Sequence, residues 1–159
     1  LAEGNTNSRK IKFVLKNKRA YHDFDIIQKY EAGIELKGTE VKSIRQGRCN
    51  IQDSYCTFLN PKSHELFLVN FHISPYEPAS QFNHDPRRPR KLLLHAKELA
   101  RLKVAVEQKG FTIIPLSVYF SGPYVKVEIA LVKAKKKYDK RETIKKKEME
   151  REISKRLKV

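Results

Sequence analysis

The chain has 159 residues, with 34 Lys and Arg against 18 Asp and Glu, a formal charge of +16 and a pI near 9.9. That length fits one domain with an appended tail and can bury a modest core without metal or disulfide help. A 40% apolar content excludes a disordered chain. The charge is the footprint of a polyanion binder, and no apolar run exceeds four residues, which excludes a bilayer-spanning helix.

In chain order, residues 1–10 (LAEGNTNSRK) are polar and expected to be flexible. They lack an apolar h-region, so they are not a secretory signal. A chain that starts at Leu1 points to processing or trimming. Lys12 to Leu15 read as a short strand, and Asn17 caps a basic helical turn over Lys18, Arg19, Ala20 and Tyr21. Phe24 to Leu36 alternate imperfectly and predict a long strand, with Gly33 marking a bulge. Thr39 to Gln46 predict a short helix, capped by Thr39 and ended by Gly47. Ile51 to Leu59 and Glu65 to Ile73 predict a hairpin about the turn Asn60-Pro61-Lys62-Ser63.

Ser74 to Arg90 form a long loop with four prolines, ending in the basic run Arg87, Arg88, Arg90 and Lys91. A helix follows from about His95 to Lys109, with Leu99, Leu102 and Val106 as its buried stripe and Gly110 as its C-terminal glycine. Phe111 to Phe120 and Tyr124 to Lys133 predict two more strands. Hairpins joined by short helices point to a mainly β fold, an antiparallel barrel of the OB type. The expected organisation is a flexible segment over 1–10, a barrel over 11–133 and a basic tail over 134–159.

The tail concentrates charge. From Lys133 on, 13 Lys and Arg face 5 acids, a net +8, half of the whole excess. Met149, Ile153 and Leu157 make a narrow apolar stripe, too small for a packed helix or for a membrane surface. A coil that becomes helical on a polyanion is the expectation.

No histidine or cysteine spacing suits a metal, no glycine motif cradles phosphate, and no cofactor is implied. Cys49 and Cys56 read as free thiols in a reducing compartment. Asn83-His84-Asp85 could supply a general base, but no second catalytic carboxylate accompanies it. The basic groups Lys16/Lys18/Arg19, Lys42/Arg45/Arg48 and Arg87 to Lys91 suggest a phosphate track with steep salt dependence. Glu31 runs against that logic. On the residues alone a salt bridge to a nearby Lys is expected, and if it faces RNA it should accept from base donors.

The stretches NKRAYHDF (17–24), YEAGIELKGTEVKSIRQG (30–47), NIQDSY (50–55), HISPY (72–76), NHDPRRPRKLLLH (83–95) and KKKYDKRETIKKKE (135–148) resemble one family throughout. It is the small protein B family, the tmRNA-binding proteins of bacterial ribosome rescue, and the likeness runs from about residue 12 to 150. The resemblance implies an OB-like barrel, no enzymatic activity, and binding to the tRNA-like domain of tmRNA, where the protein fills the place of a missing anticodon arm. It implies delivery of tmRNA with elongation factor Tu and GTP to stalled ribosomes, one monomer per tmRNA, in a bacterial cytoplasm or bacterial-type organelle. It places RNA contacts at Glu31, Leu93 and Lys126, with Lys18, Arg19 and His22 as neighbours. It sends the tail, through Lys133, Lys135, Lys136, Asp139, Lys140 and Arg141, into the decoding centre and empty mRNA channel beside 16S rRNA. Ala134 stands where the family usually has Gly. The alternatives are a generic OB-fold RNA binder or ribosome-associated factor, and an RNA-cleaving enzyme using His84 and Asp85.

Overall fold

The computed structural model describes residues 10–135. The expectations for residues 1–9 and for the tail beyond Lys135 lie outside it, among them those for Lys136, Asp139, Lys140, Arg141 and the Met149 stripe.

Strand β1 (Ile11–Lys16) leads into helix α1 (Lys18–Asp23) and the long strand β2 (Phe24–Ile34). Helix α2 (Gly38–Arg45) is followed by β3 (Cys49–Asn50), β4 (Tyr55–Thr57), β5 (Leu66–Val69) and β6 (His72–Ile73). A 3-10 turn (Glu77–Phe82) precedes β7 (Arg90–Leu93) and α3 (Ala96–Val106). The strands β8 (Phe111–Ser121) and β9 (Tyr124–Ala134) complete the described chain.

Every strand pairing is antiparallel. The seven-stranded sheet runs β1-β8-β4-β5-β7-β2-β9, and β8 also pairs with β9, so the sheet closes on itself. This is the OB-like barrel that the hairpin pattern suggests. Closure leaves few free strand edges. β8 and β9 register from Phe111↔Lys133 to Ser121↔Tyr124. They turn on Gly122, at φ 59, and Pro123, the sign pattern of a tight II′ hairpin.

The interior holds Ala32, Leu66, Leu68, Ile113, Val118, Val127 and Ile129, all fully buried, with Ile44 of α2 and Leu102 of α3 packed against the same cluster. Burying a side chain of this size stabilises by about 1.5–3 kcal/mol. A second, smaller cluster lies on the outer surface, where Ala20 of α1 covers Ile114, Leu116, Ala130 and Val132. The lower part of β9 is therefore apolar on both faces, which its sequence alternation masks.

Four expectations change in detail. The bulge in β2 falls between Ile26 and Gln28, not at Gly33. The strand expected over Ile51 to Leu59 shrinks to β4, because Ile51 to Ser54 make a tight turn with Asp53 at φ 64. The strand expected over Glu65 to Ile73 is split by Asn70, at φ 62, and its end pairs with β3 in a separate two-stranded sheet. Thr39 does not cap α2. The Glu40 carboxylate instead accepts from the Lys37 backbone N–H at 2.8 Å, and the Thr39 hydroxyl meets His84 Nδ1 at 2.9 Å.

Candidate nucleic-acid interface

Three of the sequence-predicted contacts converge. Gly33 of β2 registers with Lys126 of β9 on one side and with Leu93 of β7 on the other. Lys126, Gly33 and Leu93 thus form one row across three neighbouring strands. Glu31, two residues along β2, shares the outward face of Gly33 because strand side chains alternate. A Cβ built on Gly33 would stand 3.3 Å from Leu93 Cβ, so the missing side chain is what lets Leu93 lie across β2. Leu93 is 47% exposed. Its run reads as core, and the structure instead turns it to solvent while Leu92 goes inside.

Glu31 has no lysine partner among the described residues. Its carboxylate accepts a hydrogen bond from the Tyr119 hydroxyl, and Glu128 lies opposite it in the β2–β9 register. Burial, then the bond to Glu31 and its negative charge, push the Tyr119 hydroxyl above its ordinary pKa, so it stays a donor. Tyr119 registers with Lys126 on β9 and with Phe13 on β1. The Phe13 and Tyr119 rings are 5.5 Å apart, and Lys16 Nζ sits 4.4 Å over Phe13. Phe13, 52% exposed, extends the patch as an aromatic face. Residue-level reasoning passes over Tyr119 and Phe13. Their outward parity is legible, but the register that sets them beside Glu31 and Lys126 is tertiary.

Lys18, Arg19 and His22 are exposed on α1 and stand apart from this row. Both groups lie on the outer surface of the β2–β9–β8 ribbon. From Lys126 to Val132, under α1, is roughly 20 Å at 3.3 Å per residue. α1 is held in place by Asn17, whose side chain accepts from Ala20 N–H and donates to the Pro115 carbonyl at 3.1 Å. Asn17 N–H also donates to the Leu116 carbonyl at 2.7 Å. Those carbonyls are free because β8 is irregular between Pro115 and Ser117. At the other end of α1, Lys135 N–H donates to the Asp23 carbonyl at 3.1 Å and Lys135 Nζ to the Tyr21 carbonyl at 3.4 Å. The chain therefore leaves the barrel beside α1, at the end far from Glu31. Ala134 is still paired, opposite Phe24.

The basic loop is corrected most strongly. Arg90 is fully buried, its Nε 2.5 Å from Oε2 of the equally buried Glu40, and it donates also to the Phe71 carbonyl. Arg88 Nε reaches the other oxygen of Glu40 at 3.2 Å, and Lys91 lies 3.6 Å from Glu65. Three of the four charges are therefore compensated by the protein's own carboxylates, and among the described residues Arg87 alone of the four is exposed without an ion partner. Burial pushes the Glu40 carboxyl up, but the bonds from Arg88 and Lys37 and the charge of Arg90 together hold it below the usual carboxylate range. The catalytic reading of His84 also fails. The ring is buried, with Nδ1 on Thr39 and Nε2 at 2.9 Å from the Ile73 carbonyl, and neither nitrogen is left for a substrate. Ser54 is spent on the Ile51 carbonyl. Cys49 and Cys56 are free, and burial pushes the Cys49 thiol up to about 11.

A sheet face that sets an exposed aromatic ring, one lysine and a held carboxylate side by side is chemically suited to RNA. The profile of the SmpB protein family matches residues 14–159. The chain belongs to the SmpB family. The SsrA-binding protein of Carboxydothermus hydrogenoformans is 54% identical over 148 residues, covering 93% of this chain and 97% of the relative. That of Sulfurihydrogenibium sp. is 54% identical over 147 residues, covering 92% and 95%. A solved chain described as "tmRNA-SmpB: a journey to the center of the bacterial ribosome" is 52% identical, with a TM-score of 0.64 over 77% of this chain and 85% of that one. The SmpB match contains all the barrel-face candidates: Lys18, Arg19, His22, Glu31, Leu93 and Lys126. Among the described residues no helix is long and apolar enough to cross a membrane.

Proposed function

We propose that this chain is an RNA-binding adaptor of trans-translation. It binds the tRNA-like domain of tmRNA and brings it to stalled ribosomes, and it performs no chemistry of its own. The observation that carries this reading is the row Lys126–Gly33–Leu93 with Glu31 beside it, in a chain of the SmpB family. Each member has a separate task on an unpaired RNA segment. Lys126 contacts phosphate, Leu93 packs on a base or sugar, and Glu31 accepts from base-edge donors that phosphate binding alone would never favour. Stability does not explain the carboxylates, since Glu31 and Glu128 opposite one another cost the sheet free energy.

The second part of the mechanism uses the other end of the molecule. The tail leaves beside Lys18, Arg19 and His22, so RNA on the Glu31 face leaves that end free to meet 16S rRNA. Lys133, Lys135 and Lys136 lead the tail into the decoding centre, followed by Asp139, Lys140 and Arg141, and the remainder occupies the empty mRNA channel as a helix. One monomer serves each tmRNA, elongation factor Tu with GTP acts through the tmRNA, and the setting is a bacterial cytoplasm.

The test separates the parts. Removing residues 136–159 keeps binding to the isolated tRNA-like domain within about twofold and abolishes tagging on stalled ribosomes. Glu31→Ala weakens domain binding by about tenfold or more, the value of a charged hydrogen bond. A binder held by charge alone would bind no more weakly after losing a negative charge, and that result would end the reading.

A further inference from the structure

The row of RNA contacts ends at Lys126, but the register that builds it does not. Lys126 pairs with Tyr119 of β8, and Tyr119 pairs with Phe13 of β1. Leu93, Gly33, Lys126, Tyr119 and Phe13 therefore stand in one line across five strands, roughly 19 Å along the sheet at about 4.8 Å per strand. Residues directly opposite one another share a face, so Phe13 lies on the side of Glu31 and Lys126. Tyr119 ties the two ends together, with its hydroxyl on Glu31 and its ring 5.5 Å from that of Phe13. The next row, Ile11–Ser121–Tyr124, runs beside it with Ile11 and Tyr124 both exposed.

Folding does not account for an aromatic ring here. Plain alternation over Ile11 to Lys16 would put Phe13 on the side of Leu15, which packs against the core. The register instead slips between Phe13 and Leu15, and this bulge sets Val14 and Leu15 both against the core. Phe13 is left half-exposed on the outer face. Bulges re-aim side chains in this way beside functional sites. β1 also ends the sheet order, and among the described residues it pairs with β8 alone, so no further strand flanks the ring. The face of the ring is open to a ligand, since the exposed Lys16 lays its Nζ 4.4 Å over it. Lys10 and Lys12, both exposed, precede it in the chain. An aromatic ring among lysines suits a base and its phosphates, not an apolar protein pocket.

We propose that Phe13 is the far end of the RNA platform, where its ring stacks on an unpaired base of the tRNA-like domain and Lys16 meets the flanking phosphate. This rests on the reading that the Glu31 face holds the tRNA-like domain, and it adds a contact on β1. Leu93 and Glu31 engage one end of the bound segment, and Phe13 engages the other.

The chain has no tryptophan, so Phe13→Trp puts its only indole at the site. Titrated with the isolated tRNA-like domain, full-length Phe13→Trp binds within about twofold of wild type, and its fluorescence is quenched on binding. Phe13→Leu stays apolar but lacks a stacking face, and it weakens binding about tenfold with an unchanged unfolding midpoint. The loss persists in a Glu31→Ala background. The proposal is overturned if Phe13→Leu binds like wild type, or if the indole is not quenched at saturating RNA. It is overturned also if Phe13→Leu adds nothing to Glu31→Ala, which would make Phe13 only a prop for Tyr119. A free chain that sediments as a dimer, and as a monomer after Phe13→Leu, would assign the face to a second copy and overturn it too. A weakened Glu31→Ala beside an unchanged Phe13→Leu ends this inference alone, and an unchanged Glu31→Ala ends both.

Discussion

Glu40 and Glu31 are the same side chain in opposite settings. Glu40 is completely buried and both its oxygens are taken by Arg88 and Arg90. Glu31 is exposed, faces a second carboxylate in register, and among the described residues is held only by a tyrosine hydroxyl. The first arrangement fastens α2 and the proline-rich loop to the barrel. The second leaves acceptor capacity free at a surface. Basic residues divide the same way, since Arg90 is fully internal while Lys126 lies on the outward row. Charge in this chain is therefore of two kinds, and a count of Lys and Arg overstates the part available to RNA.

The largest way to break that contrast is Arg90→Ala. It strands a buried carboxylate and should cost about 3–5 kcal/mol in denaturant unfolding. A loss below about 1 kcal/mol would mean that Glu40 is not held as an ion. Acid provides the same test without a substitution. The folded pKa of Glu40 lies below its unfolded value, near 4.3 for a free Glu. The stability it contributes is complete above that unfolded value and is lost as pH falls through the lower folded one. Urea midpoints should decline over that acid range in wild type and less steeply in Glu40→Gln.

The exposed side is probed by Tyr119→Phe, which removes the donor that fixes Glu31 and keeps the ring against Phe13. Affinity for the tRNA-like domain should fall about threefold to tenfold, with stability changed by no more than about 1 kcal/mol. Combined with Glu31→Ala the losses should not add, because one acts through the other. Smallest is Gly33→Ala. Its methyl presses on Leu93 Cβ at 3.3 Å. A shift of a few tenths of an ångström should cost about 1 kcal/mol of stability, by overpacking, and about twofold to threefold in RNA affinity.

Much of the fold is legible in the chain itself. Asn17 as a cap, Gly47 and Gly122 at their turns, the stripe Leu99, Leu102 and Val106, and the alternation of β9 from Val125 to Ile129 are local signals, and the structure keeps them all. The resemblance carried in the motifs names the family, which the comparisons bear out. Local patterns fail where a residue's role depends on a distant partner. Arg88 and Arg90 look like surface charge because Glu40, 48 and 50 residues away, is invisible from the loop. Leu93 looks like core because only the approach of β7 to Gly33 shows which of two neighbouring leucines faces out.

The sequence by itself determined the element types, the net charge and the family, because propensity, hydrophobic period and motif spacing act over a few residues. Tertiary structure alone decided which charges are spent internally and which side chains share a face. Strand register sets those contacts, and register is settled only when the barrel closes.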